Sequence, residues 1–252
     1  MQLQLLHNEI IKTKNTPATW ITLIGGAFLP VMLGIAYLNE WKNFIPKIGE
    51  NPWLDYYGRL VNGLCICTPL FVCLVIALIF HVEHKAAAWR LTFTLPLSKS
   101  AVFIHKLILV TGIIVLYFLF FLVFSIVAGI LLGLIHPEFL FLQKLPDFRE
   151  VLSAVSKSFL CNLGIVAVQF WLSFRIKNVV TTLGIGIAAV ITGLLAKDSA
   201  RSFFFAYVDP FKMIGYFYRP HQFWDNYVWV SLSYFLIVVV LSYVDFTRRF
   251  KG

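Results

Sequence analysis

The sequence predicts an all-α polytopic membrane protein with six transmembrane helices. Six apolar stretches account for more than half of the 252 residues. Five of them contain no Asp, Glu, Lys or Arg, and the fourth contains only Lys157. A helix rises about 1.5 Å per residue, so about 20 apolar residues cross a hydrocarbon core about 30 Å thick. The predicted spans lie at about 20–38, 60–82, 107–135, 151–174, 179–196 and 228–244.

Composition supports a single membrane domain that covers residues 1–252. The chain is 60% hydrophobic and 13% charged, whereas soluble domains carry about 25% charged residues. The segments between the spans are too short for a soluble catalytic or nucleotide-binding domain. The sequence has no G-x-x-x-x-G-K-[ST] motif, which predicts that this chain does not hold ATP phosphates by a P-loop. We also expect no cofactor in this chain. The net charge of +9 is scattered among loops, a pattern that disfavours nucleic-acid binding.

The first 16 residues form an amphipathic pattern. Leu3, Leu6 and Ile10 share one helical face, and Lys12 lies on another. This arrangement is typical of a helix in the plane of the lipid headgroups. Proline is favoured at the first position of a helix, so Thr16 followed by Pro17 predicts the start of the first span.

An even number of spans places both termini on the same side of the membrane. With the termini inside, eleven Lys and Arg residues are cytoplasmic and ten are outside. The inside loops are shorter and hold these charges close to the membrane, where the charge bias has most effect. The sequence therefore favours cytoplasmic termini.

Residues 83–106 form the most informative loop. It begins with Glu83 at the end of the second span, and Ser98 can cap the helix that becomes the third span. Between them, a short predicted helix is small on one side and carries an aromatic ring and a charge on the other. Such a helix is suited to a groove in another protein. Its characteristic residues are Ala86, Trp89 and Arg90, and Pro96 ends it.

Residues 197–226 form an aromatic loop before the last span. Twelve of the 29 residues from 201 to 229 are Phe, Tyr or Trp, and Pro210, Gly215 and Pro220 interrupt the segment. We expect short helices lodged in the outer interface, where aromatic rings are favoured. The alternative is an ordinary aromatic belt that caps the sixth helix.

Polar groups within the fourth span are candidates for a transport path. Lys157 follows Glu150 by seven residues, so an ion pair between them, or snorkelling, would make it inert. The functional alternative is a polar patch of Lys157 and Asn162 that faces a path between two protomers. Gln169 is a further candidate for a polar contact between helices.

Small residues at helical spacing indicate close helix packing. Gly129 and Gly133 form a G-x-x-x-G motif, which we expect to pack within one protomer. Gly184 and Ala188 form a similar pair in the fifth span. No metal site is predicted, because His81 and His84 could supply only two of the ligands that such a site requires.

These features together resemble ABC-2-type transporter permeases. The resemblance rests on Asn8-Glu9 and Lys12 before the first span, on Glu83, and on a W-R-L-x-x-x-L-P-L-S loop followed by His105-Lys106. It is closest to the six-helix branch of lantibiotic-immunity and bacteriocin-export permeases. Many relatives have a Gly where this chain has Ala87 or Ala88.

The resemblance implies a permease dimer, identical or heterologous, that binds two copies of a separate ATPase. ATP and Mg would be bound by that partner. By position, Glu83, Ala86, Trp89 and Arg90 would form the coupling helix and Pro96 its end. Residues 1–16 would be the connecting helix, short outer helices would close the far end, and the fifth span would contribute to the dimer interface.

The function expected from the sequence is therefore export of an amphipathic or apolar substrate, such as an antimicrobial peptide, across a bacterial plasma membrane. Membrane lipid is a further expected partner. One alternative is an ATP-independent transporter or channel. An intramembrane enzyme is disfavoured, because it would need clustered Glu and His or His and Asp, which spans one, three, five and six lack.

Overall fold

A computed structural model describes most of the chain. The described residues form six α-helices and short 3-10 turns, and they contain no strand. All six are long and apolar enough to cross a membrane, which confirms the predicted fold class. The helices are α1 (Pro17–Asn39), α2 (Pro52–Lys85), α3 (Lys99–Ile135), α4 (Phe148–Arg175), α5 (Val179–Ala196) and α6 (Asn226–Arg249). The described residues are 17–47, 49–85, 98–199, 202, 204–219 and 222–249, without the side chains of Glu83 and Arg249.

Most of the helices extend beyond the apolar spans into more polar sequence. Helix α1 is described from Pro17 onward, and the predicted start at Thr16-Pro17 stays a prediction because Thr16 lies outside the described residues. The Ser98 hydroxyl accepts a hydrogen bond from the Ala101 amide at 3.3 Å and caps α3, so α3 begins well before the apolar stretch. The Asp147 and Asn178 side chains cap α4 and α5 in the same way. These caps satisfy amides that a helix start leaves without partners.

The helices alternate in direction, which gives the bundle two distinct ends. The loop end holds the segments 40–51, 136–147 and 197–225. The terminus end holds the start of α1, the end of α6 and the helix ends that flank residues 86–97.

Helices α2 and α4 form the centre of the bundle. Each buries 67% of its most apolar stretch, whereas the outer helices bury between 22% and 33% of theirs. Helix α1 packs mainly on α3, and α4 packs mainly on α6. Because α2 contacts both α1 and α4, it joins the two helix pairs into one bundle.

Aromatic side chains fill both ends of this core. At the loop end, the Trp53 indole donates to the carbonyls of Phe141 and Lys144 at 3.1 and 2.8 Å. At the terminus end, a cluster of rings joins α2, α3, α4 and α6. Its members are Phe80, Phe103, Phe170, Phe174, Tyr243 and Phe246.

Short helices do occur between α5 and α6. The α5–α6 loop (residues 197–225) contains the 3-10 turns Asp209–Met213 and Tyr216–Tyr218. The side chains of the first turn are mostly buried in the bundle. This loop is therefore packed into the loop end of the protein and is more than a rim of exposed aromatic rings.

Candidate coupling, translocation and packing sites

The predicted coupling residues fall mostly outside the described part of the chain. Glu83 lies in the last turn of α2, but its side chain is not described. Ala86, Trp89, Arg90 and Pro96 all lie outside the described residues, as do residues 1–16. Their roles stay predictions.

The two helix ends that flank residues 86–97 are attached to other helices. At the end of α2, the His84 Nε2 atom is 3.0 Å from the Ser173 carbonyl oxygen of α4. At the start of α3, the Ser100 hydroxyl is 2.6 Å from the Tyr243 hydroxyl of α6. The end of α2 is therefore held against α4, and the start of α3 is held against α6.

A charged clamp joins α4 to α6 at the same end. The Arg175 guanidinium donates two hydrogen bonds to the Asp245 carboxylate, at 2.8 and 3.1 Å. The Trp171 indole donates to the same carboxylate at 3.0 Å, and the guanidinium lies over the Trp171 ring. A bidentate pair fixes the relative orientation of its partners, so α4 and α6 should move as one unit here.

Lys157 is buried at the loop end of α4, with its side chain 0% exposed. Its ammonium donates to the Asp225 carboxylate at 2.6 Å and to the Gln222 carbonyl at 2.5 Å. It also lies 5.2 and 4.8 Å from the ring centres of Tyr216 and Tyr227. A buried ammonium needs such a set of partners. The pairing therefore involves Asp225 at the start of α6, not the predicted Glu150, and Lys157 does not snorkel.

The other two candidates for the transport path, Asn162 and Gln169, are buried inside the same protomer. The Asn162 amide donates to the Ser158 carbonyl at 2.8 Å. The Gln169 amide donates to the Thr182 carbonyl of α5 at 3.3 Å and accepts from the Tyr207 hydroxyl at 3.4 Å. Gln169 thus makes the polar contact between helices that was predicted for it. A role in a translocation path stays a prediction, and it would require helix movement that exposes these groups.

The two small-residue pairs lie in different environments. A side chain at Gly129 would collide with the Trp53 indole, and one at Gly133 would meet Phe141 and Leu142 at 3.1 Å. This pair therefore packs within the protomer. In contrast, Gly184 has no atom within 4 Å of the position that a Cβ would occupy. Gly184 and Ala188 are both exposed.

Acidic residues that the sequence analysis did not select form the polar contacts at both ends. Asp225 and Asp245 pair with Lys157 and Arg175. Asp55 pairs with Arg59 at 2.8 Å and accepts from the Tyr218 hydroxyl at 3.1 Å, which attaches the α5–α6 loop to α2. The small number of acidic residues could have drawn attention to them. The chain has only 12 Asp and Glu residues, and these three lie close to the ends of spans.

Comparison with known proteins gives one family match. A family model described as ABC-2 family transporter protein matches residues 5–193, which is three quarters of the 252-residue chain. The matched region includes residues 83–96. No curated protein matches the chain.

Proposed function

The chain belongs to the ABC-2 family of transporter proteins, and from this premise we propose that it is the membrane subunit of an ATP-driven exporter. A separate ATPase, in two copies, would supply the energy, with ATP and Mg bound there. The observation that carries the proposal is the family match, which covers the first four helices, most of α5 and the segment between α2 and α3. The six apolar helices make the protein a multi-pass membrane protein.

The contacts at the terminus end support residues 83–96 as the coupling element. Movement of this segment would pull on the end of α2 and the start of α3. The His84–Ser173 contact passes this movement to α4, and the Ser100–Tyr243 contact passes it to α6. Because Arg175 and Asp245 join α4 to α6, these two helices would respond together. Rigid-body movement of packed elements is an established kind of conformational transition.

A second permease, identical or related, would dock on α5. Gly184 and Ala188 lie on a face that no part of the described protomer covers. Exposed apolar side chains flank this pair, and small residues let two helices approach closely within a membrane. The flanking side chains are Val180, Ile187, Ile191 and Leu195.

The proposed cargo is amphipathic or apolar. The described spans expose many apolar side chains and keep Lys157, Asn162 and Gln169 buried. A surface of this kind suits a membrane-active compound such as an antimicrobial peptide better than a strongly polar solute. We place the protein in a bacterial plasma membrane with both termini in the cytoplasm, where the ATPase would meet the segment 83–96.

Substitution of the coupling residues tests the proposal. Glu83→Ala and Trp89→Ala should remove most of the ATP-dependent transport, because both are proposed to contact the ATPase. Each variant should still insert into the membrane. The measurement is substrate efflux in cells together with the amount of protein in purified membranes.

Matched substitutions at exposed positions serve as controls. Glu138 lies in a loop at the opposite end, and Trp229 is 55% exposed on α6. Glu138→Ala and Trp229→Ala should leave transport close to that of the wild type. Unchanged transport in both Glu83→Ala and Trp89→Ala would exclude residues 83–96 as the coupling element.

A further inference from the structure

The α5–α6 loop carries an acidic side chain into the interior of the protein. Asp209 begins the 3-10 turn Asp209–Met213 and is only 2% exposed. The turn contacts α2, α4, α5 and α6. Its neighbours Val208, Phe211 and Met213 are buried as well. We call the loop seated when this turn is packed in the bundle, as in the structure, and lifted when the turn has moved out into water. Seating therefore requires that the Asp209 carboxyl leave water.

The seated loop has little space in which to hydrate this carboxyl. The Tyr207 carbonyl packs directly against Gly193 of α5, where any side chain would collide with it. Among the described residues, the Asp209 Oδ2 atom has no hydrogen-bond partner. Buried polar atoms are nearly always paired, so a charged carboxylate at this position would be strongly disfavoured.

The groups around Asp209 do not compensate a negative charge fully. Lys212 lies on the same turn, but its ammonium donates to the Lys197 carbonyl. Helix α4 presents Cys161 and helix α6 presents Tyr234, both acidic groups whose charged forms would repel a carboxylate. The sequence of α5 contains no titratable side chain. On α2, the nearby titratable groups are the thiols of Cys65 and Cys73, which carry no positive charge in either protonation state.

Three contacts hold the loop in its packed position against the bundle. Tyr218 donates to Asp55 of α2, and Asp225 pairs with Lys157 of α4. The Gly215 amide also donates to the Asn62 side chain of α2 at 2.7 Å. These contacts attach the loop to α2 and α4 and favour the seated position. Ionisation of Asp209 opposes it.

We propose that Asp209 is a proton-binding site that couples the seating of the α5–α6 loop to the pH on the side of the membrane that this loop faces. The protonated carboxyl fits the buried site, and the carboxylate drives the loop toward water. This inference rests on the described fold alone and does not depend on an ATPase partner.

The direction of the pH effect follows from linkage. Burial raises the pKa of Asp209 to about 8 from the ordinary value of 3.8, although Lys212 acts to lower it. Between these two pH values, the Asp209 carboxyl is therefore protonated in the seated loop and ionised in the lifted loop. Seating is strongest below about pH 4, and its equilibrium constant falls by about tenfold per pH unit up to about pH 8.

Hydrogen exchange of the full chain in lipid nanodiscs tests this proposal. The Phe211, Ile214 and Gly215 amides are hydrogen-bonded in the seated loop. Their protection factors, corrected for the intrinsic rate at each pH, should fall by about tenfold per unit between pH 5 and 7 in the wild type. In Asp209→Asn, which is neutral at every pH, protection should not depend on pH.

Two further variants complete the test. Asp198 is an exposed acid in the same loop, so Asp198→Asn should show the pH dependence of the wild type. Lys212→Met removes the cation that favours the carboxylate, so protection should continue to fall to a higher pH than in the wild type. Protection independent of pH in the wild type, or an unchanged pH dependence in Asp209→Asn, would overturn the proposal. If Asp209→Asn does not fold, Lys212→Met decides the test. Protection that stops falling at the same pH in Lys212→Met as in the wild type would then overturn the proposal.

Discussion

Two ion pairs join helices α4 and α6, one at each end of the bundle. Lys157 and Asp225 join α4 to α6 at the loop end, and Arg175 and Asp245 join the same helices at the terminus end. The Lys157 side chain is fully buried, whereas that of Asp225 is 31% exposed. Removal of one partner from such a pair leaves the other with a desolvation cost that is no longer compensated.

Substitution of Lys157 should therefore destabilise the protein. In Lys157→Met, which keeps much of the side-chain volume, we expect the free energy of unfolding to fall by about 3 kcal/mol, because Asp225 loses its ammonium partner. Thermal unfolding in mild detergent, followed by size-exclusion chromatography, measures this change. Lys47 is exposed at the same end, so Lys47→Met should unfold like the wild type. Equal stability of the two variants would show that the pair does not hold α4 to α6.

The partner of Lys157 could not be predicted from the sequence. Glu150 lies seven residues away on the same helix, whereas Asp225 is 68 residues away and becomes adjacent only when α6 packs on α4. Residues close to Lys157 in the sequence therefore show that a buried ammonium needs a partner, but they do not identify that partner. Gln169 was easier to predict, because a polar amide in a buried span must find some partner on a neighbouring helix.

At the level of helices, hydropathy predicted all six spans but not all of their ends. Apolar length identifies the part of a helix that crosses hydrocarbon, so the predicted second span began at residue 60. The structure starts α2 at Pro52, after Asn51, whose side chain accepts from the Trp53 amide at 3.1 Å. Residues such as Asp55 and Arg59 extend this helix beyond its apolar core and pair with each other one turn apart.

The contact between α3 and Trp53 depends on the absence of a side chain at Gly129. In Gly129→Ala, the added methyl group would overlap the Trp53 ring, and we expect destabilisation of about 1–3 kcal/mol from overpacking. Gly112 lies on the same helix with no atom within 4 Å of its Cβ position. Gly112→Ala should therefore be neutral in the same unfolding assay. A neutral result for Gly129→Ala as well would contradict this packing.

The exposed face of α5 predicts a different outcome for a glycine substitution. Gly184→Leu should leave the protomer folded, because the position is open in the protomer, but should weaken association with a second permease that packs closely there. Crosslinking in native membranes, or mass measurement in nanodiscs, would report the fraction of dimer. Gly112→Leu, at an exposed position on α3, is the control. An undiminished dimer fraction in Gly184→Leu would place the interface on another helix.

For the whole molecule, the sequence predicted the class of protein but not the contacts between helices that would transmit movement. Composition and six apolar stretches are enough to identify a polytopic membrane protein, and the short motifs near residues 8–12 and 83–106 led to the family. They do not show how force would travel. That route depends on contacts such as His84 with Ser173 and Ser100 with Tyr243, whose partners are at least 89 residues apart in the chain.

The structure of the α5–α6 loop was also predicted only in part. Its aromatic content predicted a position at the membrane interface, and its 3-10 turns agree with the short helices that were expected. The burial of Asp209 was not predicted, because an Asp-Pro sequence is a common signal for an exposed turn. Here the flanking apolar residues Val208 and Phe211 pack into the bundle, and the Asp209 carboxyl is buried because it lies between them in the chain.

Affinity purification of the chain from its native membrane in mild detergent tests the proposed function most directly. The ATP-driven mechanism predicts that a soluble protein with Walker motifs co-purifies in a stoichiometric amount. Trp89→Ala should reduce its recovery, while Trp229→Ala should not. Recovery of the intact permease at full yield without any ATPase would contradict the mechanism and favour an ATP-independent transporter.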